Sequence, residues 1–393
     1  MIELLCKTFV KNHENTTDPE VRESYGKLAG IVGIISNVIL CAAKILTGIF
    51  AGSIAIIADG INNLADASSS IITLVGFKLA SKPESEEHPY GHARIEYISG
   101  MIVSVLIVVV GVELFKSSVE KILHPEPLEF SISIVVVLLL AIGIKIWQAM
   151  FNINVGKRIS SVALTATGAD SRNDVISTSV VLISVIIGKA TGLQIDGYMG
   201  CLVAAFIIWS GIGLVKETMS PLLGEAPDPG LVDSIEALAM EYDGVYGIHD
   251  LMVHNYGPGR IYASIHIEVD ADRDIMESHD IVDNIERDLC RKLNIHLTCH
   301  LDPVKINDPL VNRMNEIARE TLKTLDGVTN LHDLRIVPGP THTNIIFDVM
   351  AAHECTLTAA EIHDAFEAAF KAVDRSYFVV VNIDKYYTKR KPA

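Results

Sequence analysis

Residues 57–66 read IADGINNLAD, and Asp59, Asn62, Asn63 and Asp66 break an otherwise apolar run. Outward from it, apolar runs recur at roughly 28–50, 53–79, 95–117, 130–152, 162–187 and 194–215. Each is near the ~20 residues a helix needs to cross a bilayer. A mean hydropathy of +0.35, with 49% hydrophobic residues, fits a chain that is half membrane-embedded. Beyond about residue 220 no such run recurs. The expected architecture is an N-terminal segment, 1–27, then an all-α six-helix transmembrane domain over 28–216, then a soluble part.

The soluble part is acidic. Residues 221–393 hold 16 Lys and Arg against 29 Asp and Glu, which accounts for −13 of the formal −16. That balance argues against nucleic acid or anionic lipid as its partner, and it suits a cation ligand or plain solubility equally well. Cys6, Cys41, Cys201, Cys290, Cys299 and Cys355 form no CxxC pair, so neither a disulfide framework nor a thiolate zinc knuckle is expected. The opening MIELLCKTFVKNHE lacks the apolar core of a secretory signal. Lys7, Lys11, Arg22, Lys27, Lys78, Lys82, Arg94, Lys157, Arg158 and Lys216 flank the spans on one side, against Lys116, Lys121 and Lys189 on the other. The bias predicts a multi-pass protein of the cell membrane with both termini and the soluble half cytoplasmic.

Residues 221–393 read as two copies of one unit, 221–304 and 305–393. The copies share DGV, HDL, a strand ending IEV or FDV, a helix start EXHD, and a closing HLD or NID. Helical periodicity, two alternating strands around the turns NYGPG and VPGPT, a second helix and a last strand give αββαβ. The expected fold is α+β, two tandem ferredoxin-like modules.

Within the spans the ionisable residues cluster. Asn62 and Asp66 lie i,i+4 in span 2, and Asp170 and Asp174 lie i,i+4 in span 5, within ATGADSRND. That spacing places each pair on one helix face. A charge inside a span costs about 2.5–3.5 kcal/mol on insertion scales and usually faces a bundle interior. Inter-helix hydrogen bonding suffices for Asn63, Ser68, Ser69 and Asn173. Three matched carboxylates need neutralising, by Arg172, by Lys44, or by a bound divalent cation. Oxygen-only donors suit Mn²⁺, Mg²⁺ or Ca²⁺ better than zinc, which prefers His and Cys. Asp59, three residues before Asn62, is a candidate entry or supporting group.

Together the six spans, the paired ligands in spans 2 and 5, the loop HPYGHARIE at 88–96 and the αββαβ module resemble the cation diffusion facilitator family, over about residues 27–304. The resemblance implies a six-helix transmembrane domain with a metallochaperone-like cytoplasmic domain, working as a homodimer. The implied activity is export of divalent cations from the cytosol in exchange for protons, a secondary antiporter and not an enzyme. Zinc-carrying members place His or Asp first in the span 2 pair and His first in the span 5 pair. Asn62 and Asp170 give NxxxD with DxxxD, which resembles the manganese-exporting branch. The expected substrate is Mn²⁺, with Fe²⁺ or Zn²⁺ as alternatives, bound by Asn62, Asp66, Asp170 and Asp174. Protonation of the aspartates would release it.

Two further metal candidates follow. His88 and His92 with Glu87 form a candidate loop site, against a structural turn imposed by Pro-Tyr-Gly. His249, His266, His279, His300 and Asp302 fall where some family members bind metal, and a histidine-rich set suits Zn²⁺. In the second copy His332 and His363 match His249 and His279, Ile346 replaces His266, Asn382 replaces His300, and Asp384 matches Asp302. The second copy is therefore expected to be structural. An intramembrane aspartyl protease is a poor rival, because its YD and GxGD motifs are absent from suitable spans. A membrane-anchored metal sensor without flux is the other alternative.

Overall fold

A computed structural model describes residues 2–51, 54–124, 132–191, 195–352 and 354–385. The chain forms two units, residues 1–225 with Tyr256–Arg260, and residues 226–255 with 261–393.

The first unit is helical: α1 Ile2–Phe9, α2 Pro19–Ala51, α3 Ile54–Ala80, α4 Ile95–Leu123, α5 Ile132–Arg158, α6 Val162–Thr191 and α7 Asp196–Leu223. Among the described residues, α2, α4, α5, α6 and α7 are long and apolar enough to cross a membrane. The α3 helix is as long as α5, at 27 residues. Helices begin and end beyond the apolar runs. Asp18 accepts from Glu20 N at 2.8 Å and Pro19 takes the first helical place, so α2 starts nine residues before the expected span. Its polar first turns carry no hydropathy signal, yet Tyr25 and Val21 pack with Cys6 and Val10 of the N-terminal segment against Phe77, Phe151 and Ile159. At the other end α7 runs through Pro221 and stops at Gly224, whose φ of +86° ends the helix.

The helices pair as α2 with α3, α4 with α7 and α5 with α6, and α3 touches α6 across the bundle. Close approach of α2 to α3 depends on Gly26 and Gly33, where a Cβ would collide with Phe77 and Ser70. One buried ion pair fastens the unit. Arg22 of α2 donates to both carboxylate oxygens of Glu96 on α4, at 3.1 and 2.9 Å, and to the Ile159 carbonyl after α5. Both side chains are under 10% exposed. Replacing Glu96 by Ala strands a buried guanidinium, so a loss of about 3–5 kcal/mol is expected. Thermal unfolding in detergent should show a clearly lower midpoint for Glu96→Ala, and an unchanged midpoint would remove the pair from the account of stability.

The second unit contains α8 Pro229–Met240, β1 Val245–Asn255, β2 Ile261–Asp270, α9 Ile275–Leu293 and β3 His296–Val304. It continues with α10 Pro309–Leu322, β4 Val328–Pro338, β5 Thr343–Ala351, α11 Ala359–Lys371 and β6 Tyr377–Lys385. Each half makes a three-stranded sheet, ordered β1-β2-β3 and β4-β5-β6, with an antiparallel hairpin followed by a parallel crossover strand. Side-chain aspartates at Asp228, Asp274 and Asp308 and a capping box at Thr358–Glu361 start the four helices. Along β2, Ala263, Ile265, Ile267 and Val269 enter the helix-covered core with Ile235, Ile285 and Leu289. The alternate residues, His266 and Glu268 among them, therefore face the other side of the sheet. In the second half Ile345, Phe347 and Val349 do the same against Met314, Phe366 and Phe370, which leaves Asp348 on the uncovered face.

Both first strands carry a bulge at the shared HD, between His249 and Met252 and between His332 and Arg335. Asp250 and Asp333 adopt left-handed φ values of 50° and 52° there. Such residues are uncommon outside Gly, Asn and Asp, and bulges re-aim side chains.

Candidate functional site

The helix period of the two i,i+4 pairs brings three carboxylates together where α3 and α6 meet. Lys145 of α5 lies between two of them, with Nζ 2.9 Å from Asp66 Oδ2 and 2.6 Å from Asp174 Oδ2. Asp170 lies close enough to Asp174, Asp66 and Ser69 of α3 to feel each of them electrostatically. Seven residues along each helix, Thr73 and Thr167 share a hydrogen bond of 2.8 Å. The matched spacings show that α3 and α6 run antiparallel through the site. Asn62 lies on α3, but its side chain and that of Asp59 are outside the described residues.

Neutralisation comes from a residue the sequence reading passed over. Arg172 is exposed on α6 and donates to Ser210 of α7 at 3.2 Å, away from the carboxylates. Lys44 is buried on α2 and acts on Asp66 electrostatically. Lys145 is the direct partner, and its side chain is only 5% exposed. A lone Lys within IGIKIWQAM is the signal that could have found it. Asn37, Ser70, Gln148, Asn152 and Asn173 are buried and keep polar atoms without hydrogen-bond partners among the described residues. Among the described residues Asn173 therefore does not make the inter-helix bond expected of it. On α5, Gln148 and Asn152 stand three and seven residues from Lys145, on the same face. Buried polar groups left in this state are where internal water is found.

In the second unit the uncovered sheet face gathers histidines. β1–β2 pairing sets His249 opposite His266, and β2–β3 pairing sets His266 opposite His300. Asp302 is the hub, with Oδ2 3.0 Å from His249 Nε2 and 2.9 Å from His266 Nδ1, and Oδ1 3.2 Å from His300 Nε2. Burial opposes a charge on His249, but Asp250 and Asp302 outweigh it and lift its pKa to about 9. Partial burial would raise Asp302, yet His249 and His266 hold it at about 2. His249, His266 and Asp302 present donor atoms within 4.8 Å of one another, a set able to hold one metal ion. His300 stands at its rim. His279 is exposed on α9 and belongs to no such group among the described residues.

The second copy departs from its expected alignment. β4–β5 pairing sets Asp348, not Ile346, opposite His332. Asp348 in turn pairs with Asn382, as His266 does with His300. Asp348 is therefore the counterpart of His266, and this copy keeps a donor at that place. The shared IEV and FDV misled, because a two-residue slip preserves the in–out alternation on which the alignment rests.

The loop 81–94 is a turn, as Pro-Tyr-Gly suggests. His88 and His92 have ring centroids 4.7 Å apart, but His92 Nδ1 donates to the Pro83 carbonyl at 2.9 Å. Among the described residues neither Glu87 nor any other side chain joins them in a three-ligand group. The loop is held by packing within its own unit, through Tyr90 stacked on Tyr256 at 4.4 Å, Arg94 over the same ring, and an ion pair of Glu84 with Arg260.

Residues 30–223 match the family model for the cation efflux transmembrane domain, and residues 227–304 match the model for the cytoplasmic domain of cation efflux proteins. An uncharacterised transporter of Methanocaldococcus jannaschii is 34% identical over 251 residues, 64% of this chain and 88% of that one. The chain belongs to the cation efflux family. The manganese efflux system protein MneP of Bacillus subtilis is 27% identical over 281 residues, 70% of this chain and 94% of its own. The cation-efflux pump FieF of Klebsiella pneumoniae is 26% identical over 292 residues, 73% and 96% of the two chains. This cation efflux protein is thus a multi-pass membrane protein of a transporter family. Residues 305–393 lie beyond both matched regions of the cation efflux models.

Proposed function

We propose that the protein exports Mn²⁺ from the cytosol in exchange for protons, by alternating access of a six-span bundle in a homodimer. Asn62, Asp66, Asp170 and Asp174 are the ligands in this reading, and the convergence of Asp66, Asp170 and Asp174 at one point between α3 and α6 carries it. All the donors are oxygens, a set that favours a hard divalent ion over zinc. The name of the relative MneP points the same way.

Lys145 gives the cycle a fixed countercharge. Its ammonium contacts the same carboxylates that would hold the ion, so metal and lysine compete for Asp66 and Asp174. An entering Mn²⁺ displaces Lys145 from those oxygens. On the far side, protonation weakens the hold of the aspartates on the ion, and the lysine returns to whichever carboxylate stays ionised as the ion leaves. The unpartnered row Gln148, Asn152, Asn37 and Ser70 supplies polar groups for a hydrated approach. In this orientation both termini and the second unit are cytoplasmic, where the His249–His266–His300–Asp302 set would take Zn²⁺ as a regulatory ion.

The test is flux into proteoliposomes under an imposed proton gradient, comparing Mn²⁺, Zn²⁺ and Fe²⁺. Manganese should dominate in the wild type, and the Asn62→His/Asp170→His variant should shift the ratio toward zinc by about ten-fold or more. Zinc flux in the wild type with no shift in the variant would refute the manganese assignment.

A further inference from the structure

The helix-free face of the second sheet carries side chains that the transport reading leaves unused. The register puts His332 opposite Asp348, and Asp384 lies two residues beyond Asn382 on β6. The donor atoms of His332, Asp348 and Asp384 all lie within 4.8 Å of one another. Metal–donor bonds of about 2.0–2.2 Å place opposite ligands of one ion about 4.0–4.4 Å apart, so small movements suffice to close the set.

His332 has the state of a ligand. Its side chain is only 4% exposed, and Nδ1 lies 3.1 Å from the Asn330 carbonyl, which accepts that proton. The remaining nitrogen, Nε2, has no hydrogen-bond partner among the described residues. A backbone carbonyl on one ring nitrogen is the usual means of directing the other nitrogen's lone pair at a metal. Here that lone pair meets carboxylates, with Asp250 Oδ1 at 3.7 Å and Asp348 and Asp384 in its group. A lone pair facing three acidic side chains is met by a proton or by a metal cation between them. Among the described residues no Lys or Arg forms an ion pair with Asp250, Asp348 or Asp384. Asn382 donates to Asp348 Oδ1 at 2.7 Å, fixing that carboxylate and leaving its second oxygen to turn inward.

The two halves meet at this point. The His249 and His332 rings are 4.4 Å apart, both buried. Asp250, held in its left-handed bulge, shares a donor group with both rings.

We infer that the second module carries a divalent-cation site of its own, made by His332 Nε2, Asp348 and Asp384, and that Asp250 bridges it to the His249–His266–Asp302 site. The two sites differ in chemistry. The first has two imidazoles and one carboxylate, whereas the second has one imidazole and two carboxylates. Its ion is therefore of the harder class, with Mn²⁺ preferred to the zinc that suits the first. The second copy is a working half of a two-ion cluster formed within one chain.

The experiment counts Mn²⁺ bound per chain by loss of the free-ion EPR signal. It uses the full-length protein in detergent, in an Asp174→Asn background. Because each result is a difference from that parent, it stands whether or not the intramembrane site binds as proposed. Asp348→Asn/Asp384→Asn should lose one Mn²⁺ per chain, or weaken it more than about ten-fold, with the thermal midpoint of the metal-free protein unchanged. His332→Gln should give the same loss, and His266→Ala/His300→Ala should keep that Mn²⁺. If His332→Gln and a folded Asp348→Asn/Asp384→Asn both bind as many Mn²⁺ as the parent, the charge beside His332 is a proton and the proposal is overturned.

Discussion

Replacing Asp174 by Asn should reduce metal flux to the level of empty liposomes. The substitution keeps the shape of the side chain and an oxygen within reach of Lys145 Nζ, 2.6 Å away, so the bundle should remain folded. What it removes is one of three negative charges around a divalent ion. At an effective dielectric of about 20, a unit charge 4 Å away contributes about 4 kcal/mol, and a divalent ion feels twice that. A loss of more than about 100-fold in affinity is therefore expected even after solvent and neighbours respond. Arg172→Ala is the matched control, because that side chain faces Ser210 and not the carboxylates. It should transport within about two-fold of wild type. Near-normal Mn²⁺ flux by Asp174→Asn in a correctly folded preparation would place the transported ion elsewhere.

Lys145→Gln should separate binding from turnover. With the ammonium gone, Mn²⁺ no longer displaces a resident charge, and its affinity should rise about ten-fold or more. Maximal flux should fall, since only protons then replace the ion at Asp66 and Asp174 when it leaves. The variant should also be less heat-stable without metal than wild type, because its carboxylates repel without a countercharge. Added Mn²⁺ should restore its midpoint by a larger shift than it gives the wild type, as expected when a ligand binds only the folded state. Titration calorimetry and melting curves with and without Mn²⁺ check each part. Weaker binding in Lys145→Gln would show that the lysine supports the ion and does not compete with it.

Asp66, Asp170 and Asp174 were legible because the helix period is local: four residues apart means one face, whatever surrounds it. That the two faces meet was a conjecture from their chemistry. Lys145 was not legible as their partner, since it comes from a third helix and only packing decides which side chains of α5 point inward. Helix ends were misjudged where the signal was apolar length, as at Pro19–Lys27, whose contacts with α1 and Phe77 depend on a few side chains. The αββαβ order was visible in the alternation and the turns. The counterpart of His266 was not, because sliding β5 by two residues leaves every core position filled. Only hydrogen-bond register distinguishes Asp348 from Ile346.

Through that register, the histidine and carboxylate cluster of the second unit can change one half at a time. Where two identical subunits face each other, every substitution appears twice, and a site on the axis cannot alter one wall alone. Here the two walls are written in different codons of one gene. His266 and Asp348 occupy equivalent places and already differ, so mutation can retune one wall while the other keeps its donors. The duplication exchanges symmetry for independent inheritance of the two halves.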